Sequence, residues 1–208
     1  MNQAKKSGTD FTAFSELVHA REGHFALESG HHSRIWLDLD ALFADPRKVT
    51  PFVGALAAAL RPHNVTVVCG PLLGGAFLAQ LVAYALGTEF CFTERVVPAN
   101  APGLYRASYS LPVVFRERFR GKRVAIVDDV MSAGSALRAT YMELRAYGIE
   151  PVVAGALLVL GTAGEDFFLE RAVAVEAVTR RGFELWAPGE CPQCQSGVPV
   201  EKVAKIAT

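Results

Sequence analysis

The sequence lacks an excess of charge of either sign, a long apolar run and an amino-terminal secretory signal. Lys plus Arg and Asp plus Glu each number 21 among 208 residues, so the net charge is zero at pH 7. A nucleic-acid surface normally shows a basic excess, so no nucleic acid is expected as a partner. The longest apolar runs, such as 151–160, are too short to cross a bilayer. Because the polar start is unlike a secretory signal, we expect a cytoplasmic protein with no membrane partner.

Cysteine is scarce, with four residues in the chain. Cys69 and Cys91 fall in apolar stretches that predict strands, so they are expected in the core. Cys191 and Cys194 have the spacing of a metal half-site or a redox pair, but they supply only two of the four ligands that zinc usually takes. A second copy of the chain, Cys91 or a histidine could complete such a site. We expect a reduced pair in a turn rather than zinc or a disulfide.

Strand and helix patterns alternate along the chain. Alternation of this kind implies right-handed crossovers and an α/β fold, with a mostly parallel central sheet flanked by helices. Asp45 and Pro46 mark the start of one helix, and Gly148 marks the end of another. The predicted helices are 12–21, 46–60, 74–86, 135–147 and 165–171, and the predicted strands are 24–28, 33–38, 66–69, 89–93, 123–127, 152–160 and 173–178.

The stretch 124–136 carries the strongest chemical signal. Its four apolar residues, 124–127, suit a strand buried on both faces of a parallel sheet. Asp128 and Asp129 follow at the carboxyl end of that strand, where open α/β sheets bind ligands. The small residues of 131–135 allow close approach of the backbone, and the next helix points its N–H groups at the same place. A phosphorylated sugar fits both features, although response-regulator domains, nucleotide hydrolases or a solvated strand end also show paired acids.

A second glycine-rich loop lies at 70–75, between another apolar strand and a helix. Its backbone N–H groups could hold a pyrophosphate. Alone, the pattern would indicate a tight turn without a ligand. Beside the first motif it predicts a second anion site.

These motifs carry a family resemblance. Residues 127–135, Val-Asp-Asp-Val-Met-Ser-Ala-Gly-Ser, resemble the phosphoribosyl-pyrophosphate (PRPP) signature of type I phosphoribosyltransferases. Leu27, Ser29, Gly30 and Ser33 are similar to the hairpin of the orotate branch, and residues 65–79 resemble its second strand and pyrophosphate loop. The resemblance implies the type I phosphoribosyltransferase fold as a single domain over 1–208, with a core at about 41–180 and a small hood subdomain from about 11–40 and 181–208.

The resemblance also implies an activity, which is transfer of phosphoribose between PRPP and a nitrogenous base. Orotate or a related pyrimidine is the first expectation for the base, with a role in pyrimidine biosynthesis. Mg²⁺ bound through PRPP is the expected cofactor, and a homodimer is the expected assembly. No residue of the chain is expected to hold a metal by itself.

Each site residue takes its expected role from the same resemblance. The catalytic residues would be Asp128 and Asp129 on the ribose hydroxyls and Arg95 on the pyrophosphate, reaching into the neighbour's site. The expected base-binding residues are Glu28, Trp36, Leu37 and Ser132, although Trp36 and Leu37 suit the core equally well. The expected PRPP-binding residues are Asp128, Asp129, Met131, Ser132, Ala133, Gly134, Ser135, Pro71, Leu72, Leu73 and Gly74.

Lysine is missing where orotate enzymes carry it. Glu28 replaces it in the hairpin and Leu73 in the pyrophosphate loop, residues 93–121 contain neither lysine nor histidine, and no arginine follows the strand at 152–160. Positioned cations stabilise departing pyrophosphate. Two alternatives to orotate transfer therefore remain. The chain could transfer phosphoribose to an uncharged acceptor, or it could be a non-catalytic regulatory protein that binds PRPP or a nucleotide. The arginines that could replace the lysines are Arg95, Arg106, Arg116 and Arg118.

The segment 98–112 has no helical or alternating pattern and predicts a long loop, either a lid over the site or a plain surface insertion. Tyr105 and Tyr109 could stack on a base.

His31 and His32 are predicted to lie at an exposed hairpin turn, with a ligand contact as the alternative.

Overall fold

The computed structural model describes residues 14–15, 17–27, 29–96, 104 and 108–201. The strands are β1 (His19–Ala26), β2 (His32–Asp38), β3 (Val67–Pro71), β4 (Glu89–Val96), β5 (Ser108–Ser110), β6 (Arg123–Met131), β7 (Glu150–Leu160) and β8 (Ala174–Arg181). The helices are α1 (Pro46–Leu60), α2 (Gly74–Leu86), α3 (Val113–Arg118), α4 (Ser135–Ala146), α5 (Ala163–Leu169) and α6 (Pro192–Gln195). Short 3₁₀ turns lie at Asp40–Phe43, Arg61–His63 and Pro188–Glu190.

Six strands form the central sheet in the order β5-β4-β3-β6-β7-β8. All neighbours pair in parallel except β4 and β5, which are antiparallel. The predicted α/β architecture is therefore confirmed. The chain steps outward from β3 to β4 and, in the opposite direction, from β6 to β7 and β8. The carboxyl ends of β3 and β6 thus meet where the strand order reverses, which is where open α/β sheets form a ligand crevice.

Strand β6 shows why the sheet is buried on both faces. Its residues 124–127 are all fully buried. Alternate side chains point to opposite faces, so Val124 and Ile126 join one hydrophobic cluster while Ala125 and Val127 join the other. Helices α1 and α2 contribute to the second of these clusters, and α4 contributes to the first. This rigid centre places the residues after Val127 at the crevice.

The hairpin of β1 and β2 stands outside the central sheet. The carboxyl-terminal segment lies along it: the His32 N–H donates to the Trp186 carbonyl oxygen at 2.8 Å, and the Glu201 N–H donates to the His24 carbonyl oxygen at 2.6 Å. Strand β1 begins at His19, so the predicted helix does not extend to Arg21. Pairing with β2 decides the conformation here, since the sequence of β1 has little strand propensity of its own.

Local capping signals fix the helix bounds well. Helices α1 and α2 have the predicted ends. The Asp45 carboxylate accepts from the Arg47 N–H at 3.1 Å, and Gly87 ends α2 with φ +72°. The predicted loop 98–112 contains β5 at its end, a strand of three residues that exists through antiparallel pairing with β4. In the described part of the chain, no helix has the length and hydropathy needed to cross a membrane.

Candidate active site

A cavity of about 620 Å³ opens at the carboxyl end of β6, between the sheet and the hairpin. One end is polar, with Asp128, Asp129, Ser132 and Ser135. An apolar wall comes from the segment 35–39, in which Asp38 also lines the cavity, from the end of β7 and from the segment after β8. Its residues are Ile35, Trp36, Leu37, Leu39, Leu160 and Phe183. A cavity of this size with a few convergent polar groups is typical of a small-molecule site.

The acid pair is fixed by the backbone that follows each acid. The Asp129 N–H donates to Asp128 Oδ1 at 3.0 Å, and the Val130 N–H donates to Asp129 Oδ1 at 2.7 Å. Asp129 is 8% exposed, so its carboxylate lies at the floor of the cavity. One oxygen of each acid is thus held by an N–H group. This arrangement orients the carboxylates without neutralising them.

The loop after β3 lies directly against these carboxylates. A Cβ added at Gly74 would lie 2.1 Å from Asp129 Oδ2, and one added at Gly75 would lie 2.8 Å from Asp128 Oδ1. Only glycine permits this approach. The structure therefore brings the two predicted anion loops together at Gly74 and Gly75, while Pro71, Leu72, Leu73 and Gly74 lie outside the described wall of the cavity. The peptide bond between Leu72 and Leu73 is cis, and the Leu73 side chain is 66% exposed.

The residues 131–135 form the turn between β6 and α4. Met131 and Ala133 are buried, so they can offer only backbone atoms, while Ser132 and Ser135 line the cavity. Gly134 has φ +73°, which favours glycine, and it precedes the first turn of α4. The Gly164 N–H donates to the Ser132 carbonyl oxygen at 3.0 Å and fixes the turn from the side of α5. The open N–H groups at the start of a 12-residue helix suit a phosphate.

Trp36 and Leu37 lie in the apolar wall, as the base-binding prediction requires. Arg21, which is paired with Trp36 across the hairpin, was missed because a helix was predicted there. It carries the only positive charge among the described residues that line the cavity. Its Nη2 lies 3.2 Å from Glu201 Oε2 in a largely exposed ion pair. The alternation Ala-Arg-Glu-Gly-His is too weak a strand signal to have found it.

Three predicted arginines lie elsewhere. Arg95 is exposed on β4, opposite Tyr109 of β5 and outside the wall of the cavity. Arg116 donates from Nε to the Leu111 carbonyl oxygen at 3.0 Å, and Arg118 donates from Nε to Glu89 at 2.9 Å. Arg116 and Arg118 thus support α3 rather than replace lysines of the site. Glu28, Tyr105, Arg106 and residues 98–103 and 107 of the predicted loop lie outside the described residues.

A second cavity of about 510 Å³ adjoins the first at Ser135. Tyr109 and Arg138 line it. Burial, and then the positive charge of Arg138, lower the pKa of His31, which favours the neutral imidazole at the hairpin turn. Because Tyr109 lines the second cavity, it does not belong to the apolar wall of the first.

His32 is buried at the start of β2, which corrects the prediction of an exposed turn residue. It lies with His24, Cys191 and Cys194 in a cluster whose four potential ligand atoms are within 4.8 Å of one another. The carboxyl-terminal segment brings the cysteines to the hairpin, over a sequence separation of about 160 residues or more. The cluster is outside the wall of the cavity.

Known proteins resemble this chain in sequence and in fold. A family model described as the phosphoribosyl transferase domain matches residues 53–185, which is more than half of the chain. The chain belongs to the phosphoribosyltransferase family. It is 30% identical over 181 residues to the orotate phosphoribosyltransferase of Thermotoga maritima, covering 87% of this chain and 89% of that protein.

Solved structures agree on the fold. The adenine phosphoribosyltransferase of Thermoanaerobacter pseudethanolicus has a TM-score of 0.64 at 16% identity, covering 82% of this chain and 99% of that one. The orotate phosphoribosyltransferase of Aeropyrum pernix has a TM-score of 0.58 at 22% identity, covering 77% and 87%. At these identities the likeness concerns the fold. Together with the family match and the Thermotoga relative, it makes this phosphoribosyltransferase a pentosyltransferase that uses PRPP.

Proposed function

We propose that this phosphoribosyltransferase joins orotate to the phosphoribose of PRPP and releases pyrophosphate. The observation that carries the proposal is the meeting of the acid pair, the turn 131–135 and the loop 70–75 at one end of a cavity whose other wall is aromatic and apolar. Asp128 and Asp129 would hold the ribose hydroxyls. The turn would hold the 5′-phosphate, and the loop 70–75 would meet the pyrophosphate. The hairpin and the carboxyl-terminal segment would form the hood over the base.

The proposed reaction breaks the bond between ribose C1′ and the pyrophosphate oxygen and forms a bond from C1′ to a base nitrogen, whose proton passes to the departing pyrophosphate. Charge moves onto pyrophosphate and an electron-poor sugar carbon develops, so fixed dipoles and charges supply most of the catalysis. The carboxylates of Asp128 and Asp129 would hold the 2′- and 3′-hydroxyls of the same sugar during this step. Carboxylate and phosphate oxygens are ligands that Mg²⁺ prefers, so the acids at this cavity fit the ion that PRPP would bring. That ion would neutralise part of the charge on pyrophosphate.

Arg21 supports an anionic acceptor. It lies beside Trp36, so its guanidinium and the indole face the same part of the cavity. Its ion pair with Glu201 is largely exposed, and such pairs contribute little free energy. The guanidinium can therefore exchange Glu201 for the carboxylate of orotate at small cost. This residue would take the place of the arginine that is missing after β7.

We expect pyrophosphate release with PRPP, Mg²⁺ and orotate, and less release with uracil, adenine or other uncharged bases. Arg21→Gln should raise KM for orotate by roughly 10-fold or more, which corresponds to the loss of a charge-assisted hydrogen bond, and should leave KM for PRPP nearly unchanged. The control is Arg47→Gln on the exposed start of α1, which should change neither value. Steady-state kinetics with each base make the measurement. Thermal stabilisation by PRPP without turnover of any base would instead support a non-catalytic regulatory protein.

We further propose that the enzyme works in the cytoplasm as a homodimer in which Arg95 serves the partner's site. The support is the position of Arg95, which is exposed on β4, two strands away from β6, and lies outside the wall of the cavity in its own chain. Arg95→Ala and Asp128→Asn homodimers should each be nearly inactive. After mixing and subunit exchange, heterodimers keep one intact site, so activity should recover to about one quarter of the wild-type value. No recovery, with exchange verified by mass photometry of a tagged subunit, would contradict the proposal.

A further inference from the structure

The His-Cys cluster beside the cavity has the composition of a zinc site. Its members come from three places, namely His24 of β1, His32 of β2, and Cys191 and Cys194 around α6. His24 is 1% exposed, His32 is 8% exposed and Cys191 is fully buried, while Cys194 is the most open of the four. Four converging nitrogen and sulfur ligands, with two cysteines separated by two residues, are the usual set of a structural zinc site.

The distances between the ligand atoms fit one tetrahedral ion. Zn–S bonds of about 2.3 Å and Zn–N bonds of about 2.0–2.1 Å place neighbouring ligand atoms roughly 3.3–3.8 Å apart. His24 Nε2 lies 3.4 Å from Cys191 Sγ and 3.7 Å from Cys194 Sγ. His32 Nδ1 lies 3.2 Å from Cys194 Sγ and 2.9 Å from His24 Nε2. All four ligand atoms lie within 4.8 Å of one another, so small side-chain movements, above all separation of the two imidazole nitrogens, would bring them to these distances.

The orientation of His24 gives independent support. Its Nδ1 lies 2.8 Å from the Val198 carbonyl oxygen, which can only accept a hydrogen bond. Nδ1 therefore carries the proton, and Nε2 presents a lone pair toward Cys191, Cys194 and His32. Zinc-bound histidines commonly donate their second N–H to a carbonyl or carboxylate in this way.

The turn that carries the cysteines is also well ordered by its backbone. The Gln195 N–H donates to the Cys191 carbonyl oxygen at 3.1 Å, and the Gly197 N–H donates to the Cys194 carbonyl oxygen at 3.0 Å. Gly197 has φ +72°, a conformation that glycine adopts without strain. These bonds turn both thiols to the same side. The site is thus largely formed before an ion arrives.

We propose that His24, His32, Cys191 and Cys194 bind one structural Zn²⁺, which fastens the carboxyl-terminal segment to the hairpin. All four positions of the ion are taken by the protein, so it has no open position for catalysis. Strand β2 continues from His32 to Trp36 and Leu37 in the apolar wall. The ion would therefore hold in place the strand that shapes the base side of the cavity. A reduced cysteine pair without metal, the expectation from the sequence, is the alternative that the experiments below distinguish from it.

Metal analysis of the purified full-length chain tests the proposal. Protein made in zinc-supplemented medium and passed over a desalting column should hold about one zinc per chain, as four protein ligands imply. Cys191→Ser and His24→Gln should lose most of that zinc. His31→Gln and Cys91→Ala should keep it, because His31 neighbours the cluster without belonging to it and Cys91 lies in the core. Removal of zinc by a strong chelator should lower the Tm by several degrees.

Cobalt substitution keeps the test decisive where a variant folds poorly. Co²⁺ bound to the wild-type chain should show the visible bands of a tetrahedral site together with sulfur-to-metal charge transfer. Cys194→Ser should weaken the charge-transfer band while leaving the far-ultraviolet circular dichroism unchanged. The proposal is wrong if the wild-type chain holds no zinc or cobalt above the level of the Cys191→Ser variant. It is also wrong if mass spectrometry finds Cys191 and Cys194 joined as a disulfide in protein kept under nitrogen.

Discussion

The double substitution Asp128→Asn with Asp129→Asn is expected to lower kcat/KM for PRPP by about 10³-fold or more, since loss of one positioned charge in an active site commonly costs about 10²-fold. Asparagine keeps the shape of each side chain and a carbonyl oxygen. The Asp129 and Val130 N–H groups, which lie 3.0 Å and 2.7 Å from their acceptors, thus retain a partner. The charge is lost while the local fold is maintained. Steady-state kinetics and circular dichroism of the same preparations make the measurement.

Asp166→Asn is the matched control. It removes one carboxylate charge by the same Asp-to-Asn change at an exposed position on α5, away from the cavity, and should retain nearly full activity. A double variant of the acid pair with more than about a tenth of wild-type kcat/KM would contradict the role of these carboxylates in positioning the sugar.

Gly74→Ala tests the position of the Asp129 carboxylate without removing its charge. The added methyl group would lie 2.1 Å from Asp129 Oδ2, so the carboxylate must turn away from the loop. Because the obstacle is the end of a side chain rather than backbone, stability should change little while activity falls. If Gly74→Ala and the double variant of the acid pair both lose activity, the loss depends on the position of Asp129 and not on net charge alone.

Local signals in the sequence were sufficient for the core of the fold and for the polar end of the cavity. The stretch 124–127 is apolar without alternation because helices cover both faces of the sheet. Asp45 with Pro46 marks the start of α1, and Gly148, with φ +69°, follows the end of α4; both act through short-range hydrogen bonding or backbone conformation. Gly70, Gly74 and Gly75 lie at or just after a strand end, where glycine indicates close approach of the backbone to its neighbours. Each of these features depends on residues close together in the chain.

The His-Cys cluster and the position of Arg21 depend on pairing between distant segments. His24 and Cys191 are separated by 167 residues, and contacts between distant segments, such as those of Trp186 with His32 and of Glu201 with His24, bring them together. A cysteine pair in the sequence indicates half of a metal site and cannot identify the other half. Arg21 enters the cavity because β1 pairs with β2 across Trp36, a pairing that its own neighbours in sequence do not specify. Long-range strand pairing therefore determines the base side of the site.

Gly70→Ala is expected to have the largest effect on stability, lowering the free energy of unfolding by about 3 kcal/mol, at the upper end of the cost of overpacking a core. The new Cβ would lie 1.9 Å from the Gly75 carbonyl oxygen, 2.3 Å from the Gly75 carbonyl carbon and 2.8 Å from the Ala76 nitrogen. All three are backbone atoms of the first turn of α2, so relief requires movement of the helix against β3. For a chain of this length, that loss corresponds to a Tm lower by roughly 6–12 °C.

Gly54→Ala provides the opposite control within the same fold. Gly54 is exposed inside α1, and a Cβ there would meet nothing within 4 Å. Alanine loses less backbone entropy in a helix than glycine, so this variant should be more stable than the wild type by about 0.5–1 kcal/mol. Denaturant unfolding of both variants gives the comparison. Equal stability of Gly70→Ala and the wild type would show that the loop after β3 does not lie against α2, and the pyrophosphate site proposed for that loop would then lose its structural basis.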